Sequence, residues 1–121
     1  MIDHVVLNVR DYEASKHFYV EALRPLGYEV ILEFEQMAGL GREGKPELWV
    51  GKRDGPSANV HVALASPDRK TVDEFYEAAL AAGGRDNGAP GLRPIYHDQY
   101  YGAYVLDPDG NNIEAVCHLT E

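Results

Sequence analysis

The chain is poor in cysteine, in basic charge and in long apolar runs, and each shortage excludes something. A single cysteine, Cys117, among 121 residues cannot close an internal disulfide. Stability must then come from a packed core, and a reducing, cytoplasmic setting is expected. Lys and Arg number 11 against 20 Asp and Glu, a formal charge of −9. With the acidic residues scattered and no basic cluster present, nucleic acid is not an expected partner. No stretch approaches the roughly 20 apolar residues of a membrane span. The start, Met1-Ile2-Asp3-His4, carries neither a basic nor an apolar leader region, so export and membrane insertion are not expected.

What is present is a repeat. The segment from His4 to Gly27 recurs from His61 to Gly84 without a gap, at an offset of 57: His4/His61, Val5/Val62, Leu7/Leu64, Asp11/Asp68, Phe18/Phe75, Tyr19/Tyr76, Ala22/Ala79, Leu23/Leu80 and Gly27/Gly84. A repeat at this length is one supersecondary unit used twice, and two small units are stable only when packed together. The chain is therefore expected to form a single domain of two modules, 1–53 and 58–121, with the polar, proline- and glycine-containing segment 52–57 between them.

Each module spells a strand, a helix and three more strands. Ile2 to Val9 alternates with period two, placing Val5, Leu7 and Val9 on one face and His4, Val6 and Asn8 on the other. Asp11 then caps a helix whose stripe is Ala14, Phe18, Tyr19, Ala22, Leu23 and Leu26, stopped by Pro25 and Gly27. Strands follow at 28–34, 36–40 and 47–51. In the second module, strand 60–65 and a helix capped by Asp68 precede a glycine- and proline-containing stretch, 87–94, that leads to a strand near Ile95. Strands 101–106 and 112–118 close the chain around the turn Asp107-Pro108-Asp109-Gly110-Asn111. A crossover helix beside antiparallel hairpins implies an α+β fold, with a curved mixed sheet and the helices outside.

Period two also sets His4 and His61 on the helix-free faces, and Asn112, Glu114 and Val116 on the matching face of the last strand. If those faces pack together, His4, His61 and Glu114 converge. Two neutral imidazoles and a carboxylate suit a divalent first-row metal with positions left for water or substrate. A lone histidine in an apolar strand is more often a hydrogen-bonded core residue; two at repeat-equivalent positions with a glutamate on the matching face favour a site. The run from Tyr96 to Tyr104 adds aromatic walls, with His97 as a candidate acid or base and Tyr104 as a candidate hydroxyl donor. Tyrosine also favours half-buried sheet positions, so this run has a purely structural reading too. Gly39-Leu40-Gly41-Arg42-Glu43-Gly44 imitates a phosphate-binding fingerprint but leads into a strand, not a helix, so nucleotide binding is not expected.

The segments His4-Val-Val-Leu-Asn-Val, Phe18-Tyr19 to Leu23, His61-Val-Ala-Leu and Asp107-Pro-Asp-Gly-Asn-Asn-Ile-Glu114 together resemble the vicinal oxygen chelate superfamily, which holds glyoxalases, bleomycin resistance proteins and extradiol dioxygenases. The resemblance covers essentially the whole chain. It implies metal ligands at His4, His61 and Glu114, a divalent cofactor such as Fe, Mn, Ni or Zn, lyase, isomerase or dioxygenase chemistry on a small substrate with adjacent oxygens, and a homodimer. It also implies an alternative: a metal-free member that sequesters a small ligand. Matching Leu48-Trp49-Val50 to Ile113-Glu114-Ala115 puts Trp49 in the fourth ligand position, and tryptophan cannot ligate. A shifted register would bring in Glu47 instead. Trp49, Glu47 and Tyr100 are thus candidate pocket residues, and the glyoxalase-type proton shuttle lacks its second carboxylate.

Overall fold

The computed structural model describes residues 2–53 and 59–121. Two βαβββ units follow one another: β1 (Val5–Val9), α1 (Tyr12–Leu23), β2 (Glu29–Phe34), β3 (Met37–Arg42) and β4 (Lys45–Lys52), then β5 (His61–Ala65), α2 (Arg69–Ala81), β6 (Arg85–Leu92), β7 (Tyr101–Leu106) and β8 (Asn112–Cys117). Of the expected linker, residues 54–57 lie outside the described residues.

Both helices start as the sequence indicates. Asp11 accepts a hydrogen bond from the Ala14 amide at 3.1 Å, and Asp68 accepts one from the Thr71 amide at 2.7 Å. Each carboxylate satisfies an amide that the first helical turn leaves free and places negative charge at the positive end of the helix dipole. The Thr71 bond holds the Asp68 carboxyl below its ordinary range. A single 3₁₀ turn, Arg24–Leu26, extends α1 to Gly27.

The strands form two four-stranded mixed sheets, in the orders β1-β4-β3-β2 and β5-β8-β7-β6. This corrects the expectation of one continuous sheet. The edge strands β1 and β5 are the first strand of each unit, and each is hydrogen-bonded only to the last strand of its own unit.

A second correction concerns β6. The stretch expected to be a connecting loop is itself the strand Arg85–Leu92, while Ile95 lies in an exposed turn. Pro90 is tolerated because β6 is an edge strand, and the pairing with β7 shifts register at Gly88 and again before Gly91.

The core lies between sheets and helices. Phe18, Tyr19 and Leu23 of α1 and Phe75 of α2 are fully buried, with Leu40, Leu48 and Val50 from the first sheet and Val105 and Ile113 from the second. The two helices pack against each other, joining the units. A polar clamp reinforces the joint. Asp107, buried between β7 and β8, accepts from the amides of Asp109 at 2.9 Å and Asn111 at 2.8 Å, from the Asn111 side-chain amide at 2.9 Å and from the Tyr19 hydroxyl at 2.5 Å. A turn of the second unit thereby holds the helix of the first. Burial and the Asp107 charge push the Tyr19 phenol well above its ordinary range, so it remains a donor.

Candidate functional site

Alternation along the strands decides which side chains are free of the helices. Leu7 and Val9 are buried, while His4, Val6 and Asn8 are exposed on the opposite face; in β5, His61, Ala63 and Ala65 are exposed likewise. His4 and His61 both line one cleft of about 530 Å³ that runs between the edge strands and also receives Tyr28 and Glu47.

Glu114 is the centre of the second unit's contribution. It is only 1% exposed. Such a carboxylate is tolerated only when its oxygens are satisfied. His61 Nε2 lies 2.7 Å from Oε1, and the Tyr100 hydroxyl donates to Oε2. Tyr104, directly across from Glu114 in the β7–β8 register, sets its ring 6.1 Å from the His61 ring, and the Arg93 guanidinium lies 5.3 Å from the Tyr104 ring. Burial first, then the bond to Glu114, drives the Tyr100 phenol far above its ordinary range; burial and the Glu114 charge raise Tyr104 as well. Both hydroxyls stay protonated at any physiological pH and act as donors.

The first unit offers a different wall. In the β1–β4 pairing Val6 stands opposite Trp49, and in the β5–β8 pairing Ala63 stands opposite Glu114. Val6 and Ala63 are repeat equivalents, so Trp49 holds the position that Glu114 holds in the second unit. Across the next strand the exchange continues, with Gly39 opposite Trp49 where Tyr104 is opposite Glu114. Gly39 is required there: a Cβ would come within 2.9 Å of three indole carbons. The indole thus lies flat on the β3 backbone, with Phe34 edge-on at 6.0 Å, in a hollow of about 550 Å³ that includes His4, Val6, Met37, Lys45 and Arg53. Glu47 accepts from the Tyr28 hydroxyl at 2.8 Å, and burial first, then this bond, pushes the Tyr28 phenol up to about 12.

Two of the three candidate ligands, His61 and Glu114, are in contact. His4 lines the same cleft but is hydrogen-bonded to Asp3 at 2.8 Å, and no group of three potential ligands forms among the described residues. The donors suit a first-row divalent ion by type, and the chain assembles them as a pair with a third across the cleft.

His97 Nδ1 accepts from the Gln99 amide at 3.1 Å and its Nε2 lies 2.8 Å from Nδ1 of His118, with the two rings stacked at 5.0 Å. The role of His118 was not evident from the sequence. It stands four residues after Glu114, just beyond the end of β8, and that spacing is the signal the sequence carries.

The sequence model of the Glyoxalase/Bleomycin resistance protein/Dioxygenase superfamily matches residues 1–115. The chain belongs to that superfamily. Among solved structures it is similar to a glyoxalase/bleomycin resistance protein from Albidiferax ferrireducens T118, with 28% identity over 95% of this chain and 96% of that one and a TM-score of 0.82. It also shares its fold with a glyoxalase-related enzyme from Fulvimarina pelagi (21% identity, 97% and 87% covered, TM-score 0.75) and a lactoylglutathione lyase from Agrobacterium tumefaciens (20%, 97% and 92%, TM-score 0.70). No curated protein matches the chain. No helix among the described residues is long and apolar enough to cross a membrane.

Proposed function

We propose that this protein is an enzyme of the vicinal oxygen chelate type, a single two-module domain acting in the cytoplasm on a small substrate with adjacent oxygens. The observation that carries the reading is Glu114: a carboxylate buried on the helix-free face, with His61 on one oxygen and Tyr100 on the other. His61, Glu114 and His4 are the residues that would hold a divalent ion, and such an ion supplies Lewis-acid polarisation of substrate oxygens. A homodimer is the proposed state.

The chain's own groups define what remains. Tyr100 and Tyr104 donate hydrogen bonds to substrate oxygens, and the Glu114 carboxylate accepts a proton at Oε2 when Tyr100 yields to the substrate. His97 and Trp49 are proposed to flank the substrate. Because Trp49 stands in the slot equivalent to Glu114, the first unit brings Glu47 to the cleft instead, two residues from that slot and bonded to Tyr28, and this broken equivalence favours ring cleavage or one-base chemistry over lactoylglutathione chemistry.

The test is metal uptake by protein purified without chelator, read by elemental analysis and calorimetry for the wild type and for His4→Ala, His61→Ala and Glu114→Gln. One ion per chain, bound at least tenfold more weakly by each variant, supports the reading; such a loss is about 1.4 kcal/mol. No uptake by any form overturns the metal. A metal-free binding protein is the second reading, favoured by the satisfaction of both Glu114 oxygens by protein donors.

A further inference from the structure

The hydrogen bonds around His97 select one tautomer of the neutral ring. Nδ1 accepts from the Gln99 amide, so it carries no proton. The only ring proton of neutral His97 is then on Nε2, and at 2.8 Å it is donated to His118 Nδ1. His118 must in turn leave Nδ1 bare and carry its own proton on Nε2. The contact exists only with both imidazoles neutral. A second proton on His97 would face the Gln99 N–H, and one on His118 Nδ1 would face the His97 N–H, so each sets donor against donor.

This contact lies just beyond the end of the β7–β8 ladder, whose last pair is Tyr101 and Cys117. His118 follows β8, and His97 sits in the segment between β6 and β7 that delivers Tyr100. Both rings pack edge-on against Tyr100, at 5.6 Å from His97 and 5.4 Å from His118. Tyr96 covers the same ring at 4.8 Å, and the Tyr100 hydroxyl reaches Glu114. Arg69 of α2 makes a parallel tie, from its guanidinium to Gln99 at 3.1 Å and to the Leu119 carbonyl at 3.1 Å.

We propose that His97 and His118 are positioning residues: as a neutral, tautomer-locked pair they hold Tyr100 on Glu114, and protonation of the pair releases Tyr100 from the carboxylate. The titratable or charged groups around them are Asp98 and Tyr96 of the same segment, Cys117 of β8, Tyr100, and Arg69 of α2. Glu114 lies behind Tyr100, and Glu121, whose carbonyl accepts from the Arg69 amide, lies beside Cys117; among the described residues no carboxylate is within 4.0 Å of either ring nitrogen. Adding a proton to either ring sets donor against donor and is expected to weaken the contact. That Glu114 is the working carboxylate rests on the proposed function; the movement of Tyr100 does not.

The test follows the Tyr100 ring and the imidazole nitrogens by NMR as the pH is lowered from neutral, in the full chain without added metal. At neutral pH both histidines are expected as Nε2–H tautomers, and the wild-type Tyr100 resonances are expected to shift in step with both imidazoles. His118→Asn keeps an acceptor oxygen where Nδ1 stood. It is expected to hold Tyr100 at its wild-type position at neutral pH and to follow a single remaining imidazole on acidification. His118→Ala is expected to show Tyr100 already displaced at neutral pH, with the remaining amide spectrum confirming the fold. Tyr100 resonances that ignore the imidazole titration, or that are the same in folded His118→Ala as in the wild type, overturn the proposal. Failure to bind metal while Tyr100 follows the pair overturns only the metal reading.

Discussion

The two units have the same element order and equivalent pairings, yet the same position is an indole in one and a carboxylate in the other. In the first unit Trp49 lies flat on Gly39; in the second Glu114 faces Tyr104 and is bound by His61 and Tyr100. Duplication of a backbone duplicates positions, not chemistry. The first unit supplies an apolar wall, which requires the absence of a side chain at Gly39. The second supplies a buried charge, which requires donors on both of its oxygens.

The most severe way to break the comparison is to free the units from each other. Asp107→Ala strands four donors of the buried clamp and is expected to cost roughly 3 kcal/mol or more, read by urea unfolding. Among the described residues the corresponding β3–β4 turn, at Glu43 and Gly44, has no such clamp. Next comes the wall. Gly39→Ala forces the indole off the β3 backbone at about 1–3 kcal/mol, and a shifted emission of the only tryptophan reports the movement. On the opposite wall, Tyr100→Phe removes a donor from the buried Glu114 carboxylate and is expected to cost about 1.5–3 kcal/mol in thermal or chemical unfolding.

Two smaller effects sharpen the contrast. Tyr28 bonds Glu47 and is pushed from 10.0 up to about 12 in the folded protein. Its folded state therefore holds the phenolic proton more tightly than the unfolded chain does. The resulting stability is fully present below about pH 10 and is lost as the pH rises toward 12, so Tyr28→Phe is expected to flatten this part of the alkaline unfolding profile. Least is expected at the β3–β4 turn, where Glu43 and Gly44 have φ of 54° and 77°. Both central residues of such a turn need positive φ, so Glu43→Gly is expected to be neutral or to stabilise by up to about 1 kcal/mol in melting experiments.

Much of this was legible along the chain because it is local. Asp11 and Asp68 announce the helices, period two separates His4 from Leu7, and the matched segments reveal two equivalent units. The strand Arg85–Leu92 was not legible, because its glycines and proline read as a loop and only pairing with β7 makes it a strand. His97 was recognised as a candidate but not as the partner of His118, because that contact spans 21 residues and depends on how the segment before β7 folds back. The clamp on Tyr19 reaches across 88 residues, and nothing near Asp107 in sequence points to it.

By itself, then, the sequence determined the repeated units, their capped helices, the faces on which the histidines and Glu114 lie, and the absence of a second carboxylate at Trp49. These follow from spacing, residue type and repeat equivalence. Tertiary structure alone decided that the strands divide into two sheets, that His4 stands across a cleft from the His61–Glu114 pair, and that Tyr100 reaches the carboxylate with two imidazoles packed on its ring. Such contacts join side chains distant in sequence, and their distances are set by how helices and sheets pack, which no local pattern encodes.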